Sequence, residues 1–440
     1  MAFDRKEYAR RRAGLMKRIG AGGVAIIPSA REVVRARDTH YKFRQDSDFA
    51  YLTGFPEPDA VAVLVPGRKV DGRKAEFVLF VRGRDPAREI WDGRRAGAQG
   101  AVRDYGADEA FTIDAFEEQL GALLAGRARV HYTMGEHAAW DAKIAACVRE
   151  IREVSRRGAA APTDFVALEA SLHEMRLFKS PAELKVLARA CAITAEAHVL
   201  AMRATKPGQR EWQVGAEIEA HFLRHGMQPG YGSIVGGGEN ACILHYVENS
   251  AVLRDGDLLL IDAGGELDGY TADITRTFPV GGRFGKAQRA VYEIVLEANK
   301  AAIKTLEIGE SVGKPHEVAT RILTEGLVDL GLLKGKVKEL IKAGQQRAFY
   351  MHGTGHWLGM DVHDVGRYRL DGAYRKFEAG MVMTVEPGLY IAPGTKGVDE
   401  KWWGIGIRIE DDVVVTADGP QVLTGGVPKD VGEIEKLMAA

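Results

Sequence analysis

Residues 181–416 run twice through one order of segments, and no other feature constrains the fold of this chain as strongly. Helical stretches at 181–204 and 210–225 precede three β-like runs, at 234–246, 257–263 and 269–280. Helical stretches at 286–307 and 314–332 then precede three more, at 348–359, 380–391 and 404–416. The assignment rests on apolar residues at helical spacing giving way to short β-branched runs. Residue identities scarcely match between the two passes. The order of elements therefore carries the inference: two αβ halves related by an approximate two-fold, with a cleft where their sheets meet.

Each half sets one histidine and then two carboxylates inside its apolar runs. The first has His245 in CILHY, Asp262 in LLLIDAG and Asp273 in YTADITRTF. The second has His356 in HGTGHWLG, Glu386 in MTVEPGLYI and Glu410 in IRIEDDVVV. All six are expected on strands or strand ends. Burying an ionised carboxylate is costly even after relaxation, and converging carboxylates repel one another. Any one of them reads alone as a solvated strand end. In matched order they point to bound cations. Four carboxylates balance two divalent ions, between which a bridging hydroxide can be held and made nucleophilic. An oxygen-rich set with a single imidazole predicts Mn²⁺ first, with Co²⁺ or Zn²⁺ as alternatives.

The chain has 440 residues, room for two or three domains at about 150 residues each. Short apolar runs at 23–29, 61–66 and 76–81, with helical stretches at 115–126 and 141–154, predict an N-terminal α/β domain over 1–171. A seam rich in small residues follows at 156–162. In Ser180-Pro181-Ala182-Glu183, serine is the N-cap, proline takes the first helical position and glutamate completes a capping box. Leu184, Leu187, Ala188, Cys191 and Ala195 continue at helical spacing, so the second domain is placed at 172–440.

Sixty Lys and Arg against 61 Asp and Glu argue against a nucleic-acid binder working through bulk positive charge. No apolar run approaches the roughly 18 residues of a membrane span. The N-terminus carries acids and lacks an apolar stretch, so no secretory leader is expected. Cys147, Cys191 and Cys242 are scattered, which argues against a disulfide scaffold or thiolate zinc site. Gly236-Gly237-Gly238 lacks the spacing of a dinucleotide fingerprint. A cytoplasmic enzyme without nucleic-acid or membrane partners is the expectation.

The strings HGTGHWLGMDVHDVG, TVEPGLYI, GIRIEDD and LIDAGGELDGYTADITRTFPV resemble the proline-specific metallopeptidases of the pita-bread fold, above all the aminopeptidase P (Xaa-Pro aminopeptidase) family. YKFRQDSDFAYLTGFPEP and HEMRLFKSPAEL extend the resemblance over nearly the whole chain. It implies an α/β N-terminal domain followed by an α+β pita-bread domain with a dinuclear metal cleft. It implies five ligands: Asp262, Asp273, His356, Glu386 and Glu410, with Asp273 and Glu410 bridging two ions. His245, His352 and His363 would line the pocket, orient the scissile carbonyl and stabilise the tetrahedral intermediate. For His352 the plainer reading is a partner that holds the His356 loop.

Arg408 stands two before Glu410, which on a strand puts both on one side. It reads as a charge partner of Glu410, and the resemblance adds a place in the substrate pocket. Tyr390 and Val362 would wall a slot for the proline ring. Asp38 and Trp91 match positions that reach another subunit's cleft in relatives; a surface ion pair and a core tryptophan are the plainer readings. The implied reaction removes the first residue from peptides with proline second, by attack of the metal-bridging hydroxide, with Glu386 shuttling the proton. A homodimer or homotetramer is implied. A prolidase confined to Xaa-Pro dipeptides would use the same ligands. A methionine aminopeptidase typically lacks so large an N-terminal domain, and a non-catalytic pita-bread module would have lost ligands.

Overall fold

The computed structural model describes residues 3–154, 158 and 160–439, so Arg156, Arg157 and Ala159 of the expected seam lie outside the described residues. The chain divides into two compact units, Met1–Met175 and Arg176–Ala440, against a division expected at 171/172.

In the first unit, six strands form one mixed sheet: β1 (Gly23–Pro28), β2 (Val61–Leu64), β3 (Phe77–Val81), β4 (Glu109–Thr112), β5 (Arg129–His131) and β6 (Asp164–Val166). Their order is β6-β5-β1-β2-β3-β4. The β1–β2 and β2–β3 pairs are antiparallel and the other three parallel. Strands β1, β2 and β3 are buried along their whole length, as strands covered on both faces are. On one face Val24, Ile26, Val61, Val63, Val78 and Phe80 pack against Phe116 and Leu120 of α2 (Phe116–Leu124) and Trp140 and Ile144 of α3 (Ala138–Val154). Helix α1 (Arg5–Ile19) precedes the sheet.

The second unit follows the repeated order. Helices α4 (Pro181–Ala204) and α5 (Glu211–Arg224) lead into β7 (Ile234–Gly237), β8 (Leu258–Asp262) and β9 (Thr275–Pro279), an antiparallel sheet with β8 central. Helices α6 (Lys286–Ile303) and α7 (Lys314–Asp329) lead into β10 (Val382–Val385), β11 (Gly388–Ile391), β12 (Ile405–Arg408) and β13 (Asp411–Thr416). Strand β10 pairs with β13, and β11 with β12. The capping box at the start of α4 forms as the sequence predicts: Ser180 Oγ accepts from Glu183 N, and Glu183 Oε2 accepts from Ser180 N at 2.9 Å.

Two expected β runs are corrected. The run at 234–246 ends as a strand at Gly237 and passes into a 3₁₀ turn, Gly238–Cys242, so His245 lies on a turn. The run at 348–359 is a loop with one isolated bridge, Trp357 to Met383, and His356 rides on it. Apolar content suggested strands in both places. In the first, Ile243 and Val247 are exposed rather than packed. In the second, Gly355 lets the loop press against β10: a Cβ there would overlap the Thr384 carbonyl.

Candidate active site

Strand geometry brings the acids together. Residues 386–387 interrupt β10 and β11, and residues 409–410 interrupt β12 and β13. The register pairs Val385 with Asp411 and Gly388 with Arg408, so the two breaks face each other. Pro387 has no N–H for a ladder, which accounts for the first break. Glu386 and Glu410 therefore leave the sheet at one point. Glu410 N donates to Thr275 O at 3.0 Å, which joins this point to the first half. There Asp262 ends β8, opposite Thr275 in register, and Asp273 precedes β9. Gly264 lies against the Ala272 carbonyl with no space for a Cβ, holding the Asp262 and Asp273 segments together.

These residues line a cavity of about 520 Å³ with His245, His352, His356, Val362, His363, Arg408 and Tyr231. Ligand atoms of Asp273, His356 and Glu410 lie within 4.8 Å of one another. Tyr231 Oη stands 2.7 Å from Asp262 Oδ1 and 2.6 Å from Asp273 Oδ1. Its single hydrogen serves only one of the two facing carboxyl oxygens at a time. His356 Nδ1 donates to Trp357 O at 3.0 Å, which leaves Nε2 facing Asp273 (3.4 Å) and Glu386 (3.7 Å). A ligating imidazole is oriented in the same way, through its other nitrogen.

Burial, and then the neighbouring acids, push the Glu410 carboxyl well above its ordinary range, and Asp262 is also raised, chiefly by burial. Glu386 is pushed up to about 7, mainly by burial and against the pull of His356 and Arg408. Burial alone would lower the His356 imidazole, but Asp273 and Glu386 outweigh it and raise it to about 9. The cluster thus holds more negative charge than its protein surroundings offset. A bound metal cation would supply the missing charge, and the oxygen-rich donor set fits one.

Arg408 is the buried cation of this wall, but its direct partner is Asp262 rather than the expected Glu410. Its Nη2 donates to Asp262 Oδ2 at 2.6 Å, its Nε to Thr275 Oγ1 at 3.1 Å and its Nη1 to Tyr390 Oη at 3.0 Å. Thr275 Oγ1 in turn donates to Glu410 Oε2 at 2.6 Å. The strand ends at Arg408, two residues before Glu410, so the alternation of faces does not carry through to Glu410. Tyr390 is buried one layer behind the cavity, whereas Val362 is on its wall. His352, held neutral by burial and Arg408 with its pKa lowered to about 4, donates from Nδ1 to Gly353 O. Its Nε2 therefore accepts from Tyr390 Oη at 2.9 Å, and a relay runs from Arg408 through Tyr390 to His352.

His363 stacks edge-on to His356, with ring centroids 4.4 Å apart. The adjacent Asp364 is fixed by Lys179 (2.9 Å) and Arg176 (2.7 Å), which is what the string HEMRLFKSPAEL supplies. His245 is exposed at the cavity wall. In the first unit, Trp91 is 84% exposed on the helix Pro86–Asp92, so it is not a core tryptophan. Asp38 lies in the exposed turn between Val34–Ala36 and Thr39–His40.

Sequence reasoning missed Tyr231, Thr275 and Asp412. Asp412 Oδ2 accepts from Asp273 N at 2.9 Å and from Cys191 Sγ at 3.3 Å. Its only sequence signal was a second acid after Glu410; Tyr231, between two glycines in GYGS, gave none that separates it from a turn residue.

Fold and site together define a metal-binding hydrolase with a carboxylate-rich centre between two αβ halves. The model of metallopeptidase family M24 matches residues 185–417, and that of the aminopeptidase P N-terminal domain matches residues 8–132. The chain is 48% identical to an Xaa-Pro aminopeptidase of Escherichia coli, over 100% of this chain and 98% of that protein. It is 42% identical to one of Haemophilus influenzae, over 99% and 98%. Among solved structures, Pseudomonas aeruginosa aminopeptidase PepP superposes with a TM-score of 0.97 at 53% identity, covering 99% of this chain and 98% of that one. Zinc-substituted Escherichia coli aminopeptidase P in complex with product gives 0.95 at 48%, with coverage of 99% and 98%. The chain belongs to metallopeptidase family M24, with an aminopeptidase P N-terminal domain and the pita-bread fold in its C-terminal part. It is an aminopeptidase of the metal-dependent kind.

Proposed function

We propose that the chain releases the N-terminal residue from peptides with proline in the second position. The observation that carries this reading is the convergence of Asp262, Asp273, Glu386, Glu410 and His356 on one cavity, in a chain 48% identical to an Xaa-Pro aminopeptidase. These five residues would hold two divalent ions, Mn²⁺ first with Co²⁺ or Zn²⁺ as alternatives. Bound there, the ions supply an activated water and polarise the scissile carbonyl.

The protein's own groups do the rest. A bond to proline nitrogen is a tertiary amide with no N–H to grip, so recognition falls on the carbonyl, the ring and the free amino terminus. Glu386 takes the proton of the attacking water and delivers it to the departing nitrogen. His245 and His363 orient the carbonyl and donate to the oxyanion. Val362 offers the ring an apolar wall, backed by Tyr390. Arg408, with His352 at the end of its relay, keeps the pocket's charge pattern fixed.

Asp38 and the exposed Trp91 would reach a second copy's cleft in a homodimer or homotetramer, where the N-terminal domain restricts the length of substrate. The working compartment is the cytoplasm, and the partners are peptides. Among the described residues no helix is long and apolar enough to cross a membrane. Replacing Glu386 with Gln tests the proton shuttle. Turnover on an Xaa-Pro-Yaa peptide should vanish while substrate still binds; near-normal turnover would overturn the assignment.

A further inference from the structure

His221 and His225 lie four residues apart at the C-terminal end of α5, so they occupy one face. Their ring centroids are 4.4 Å apart. Glu196, on α4, brings Oε2 to 3.3 Å from His221 Nε2. One ligand atom from each of the three lies within 4.8 Å of the others, and none of the three lines the cavity described above. His225 Nδ1 donates to His221 O at 3.0 Å, so its Nε2 presents a lone pair. That backbone tie fixes tautomer and ring orientation, as it does for ligating histidines.

We propose that Glu196, His221 and His225 form a second metal site, of the zinc class, independent of the carboxylate-rich centre. Two ligands bonded to a tetrahedral zinc at about 2.0–2.1 Å stand about 3.3–3.4 Å apart, close to the observed separation of His221 and Glu196. The third ligand closes by a small side-chain movement, which the exposed Glu196 and His225 can make. Two imidazoles and one carboxylate favour Zn²⁺, Ni²⁺ or Cu²⁺, whereas the oxygen-dominated cavity suits Mn²⁺. The end of a helix, where carbonyls point outward, also favours a cation. Occupied, the site ties the end of α5 to α4. The chain continues from there through Gln228–Pro229 to Tyr231, the residue that holds Asp262 and Asp273.

The test is zinc bound per chain after equilibrium dialysis at low micromolar free Zn²⁺, for the full chain and for His225→Ala and Glu196→Gln. Both variants leave the cavity intact, and both should keep wild-type peptidase activity with Mn²⁺. His225→Ala should bind about one zinc fewer than wild type, and Glu196→Gln should bind that zinc at least about tenfold more weakly. Equal zinc counts and affinities in wild type and both variants would overturn the proposal, whatever the peptidase assay shows.

Discussion

Arg408 Nη2 lies 2.6 Å from Asp262 Oδ2, with side chains 4% and 12% exposed, and this ion pair anchors one wall of the acidic cavity. The same guanidinium reaches Thr275 and Tyr390, so its planar fork serves three partners at once. Arg408→Ala leaves the acids without their buried cation, and Arg408→Lys restores charge without the fork. Removing one member of a buried pair costs about 3–5 kcal/mol. Both variants should lose at least about a hundredfold in kcat/KM, with Lys no better than tenfold above Ala. Steady-state kinetics at saturating Mn²⁺ checks this.

Two adjacent acids should behave oppositely. Asp411 is paired with Arg276 (2.7 Å) and Lys429 (2.6 Å); burial works against its charged form, but the two cations outweigh it and hold its carboxyl far below the ordinary range. Asp412 is pushed well above that range, chiefly by burial and then by Asp273. Asp411→Asn should therefore destabilise the protein by about 3–5 kcal/mol, whereas Asp412→Asn, which keeps an oxygen to accept from Asp273 N, should stay within about 1 kcal/mol of wild type. Chemical denaturation of the two variants separates them.

Metal removal should make stability fall with rising pH. The Glu386 carboxyl rises from 4.5 to about 7 on folding, and the His356 imidazole from 6.5 to about 9. Both groups bind more protons folded than unfolded in these windows. Their stabilisation is complete below the unfolded values and is lost as pH climbs through the folded ones. His352, lowered to about 4, acts in the opposite sense, but only below pH 6.5, where its unfolded form protonates. Between pH 6.5 and 9, chelator-treated protein should lose thermal stability relative to the metal-loaded form. Parallel Tm curves would contradict this.

The polar lining of the cavity was legible because charge inside apolar runs is expensive, and the six such residues that recurred in matched order all line it. The helix at 181–204 was legible to the residue, since Ser180, Pro181 and Glu183 all mark one start. The histidine loops were not. Ile243, Leu244 and Val247 look like strand residues, yet Leu244 and Val247 line the cavity, and only Leu244 of the three also packs against the cluster around Tyr246 and Leu260. Arg408 was found but given the wrong direct partner, because its contact with Asp262 spans 146 residues and the two halves. Tyr231 and Asp412 act through contacts across the fold that no local spacing encodes.

The most direct test of the account is hydrolysis by Mn²⁺-reconstituted protein of three substrates: an Xaa-Pro-Yaa tripeptide, an Xaa-Pro dipeptide and an Xaa-Ala-Yaa control. The expected result is release of the first residue from the tripeptide, with the control untouched. Cleavage confined to the dipeptide would make the enzyme a prolidase. Cleavage of the control as readily as of the tripeptide would contradict proline specificity altogether.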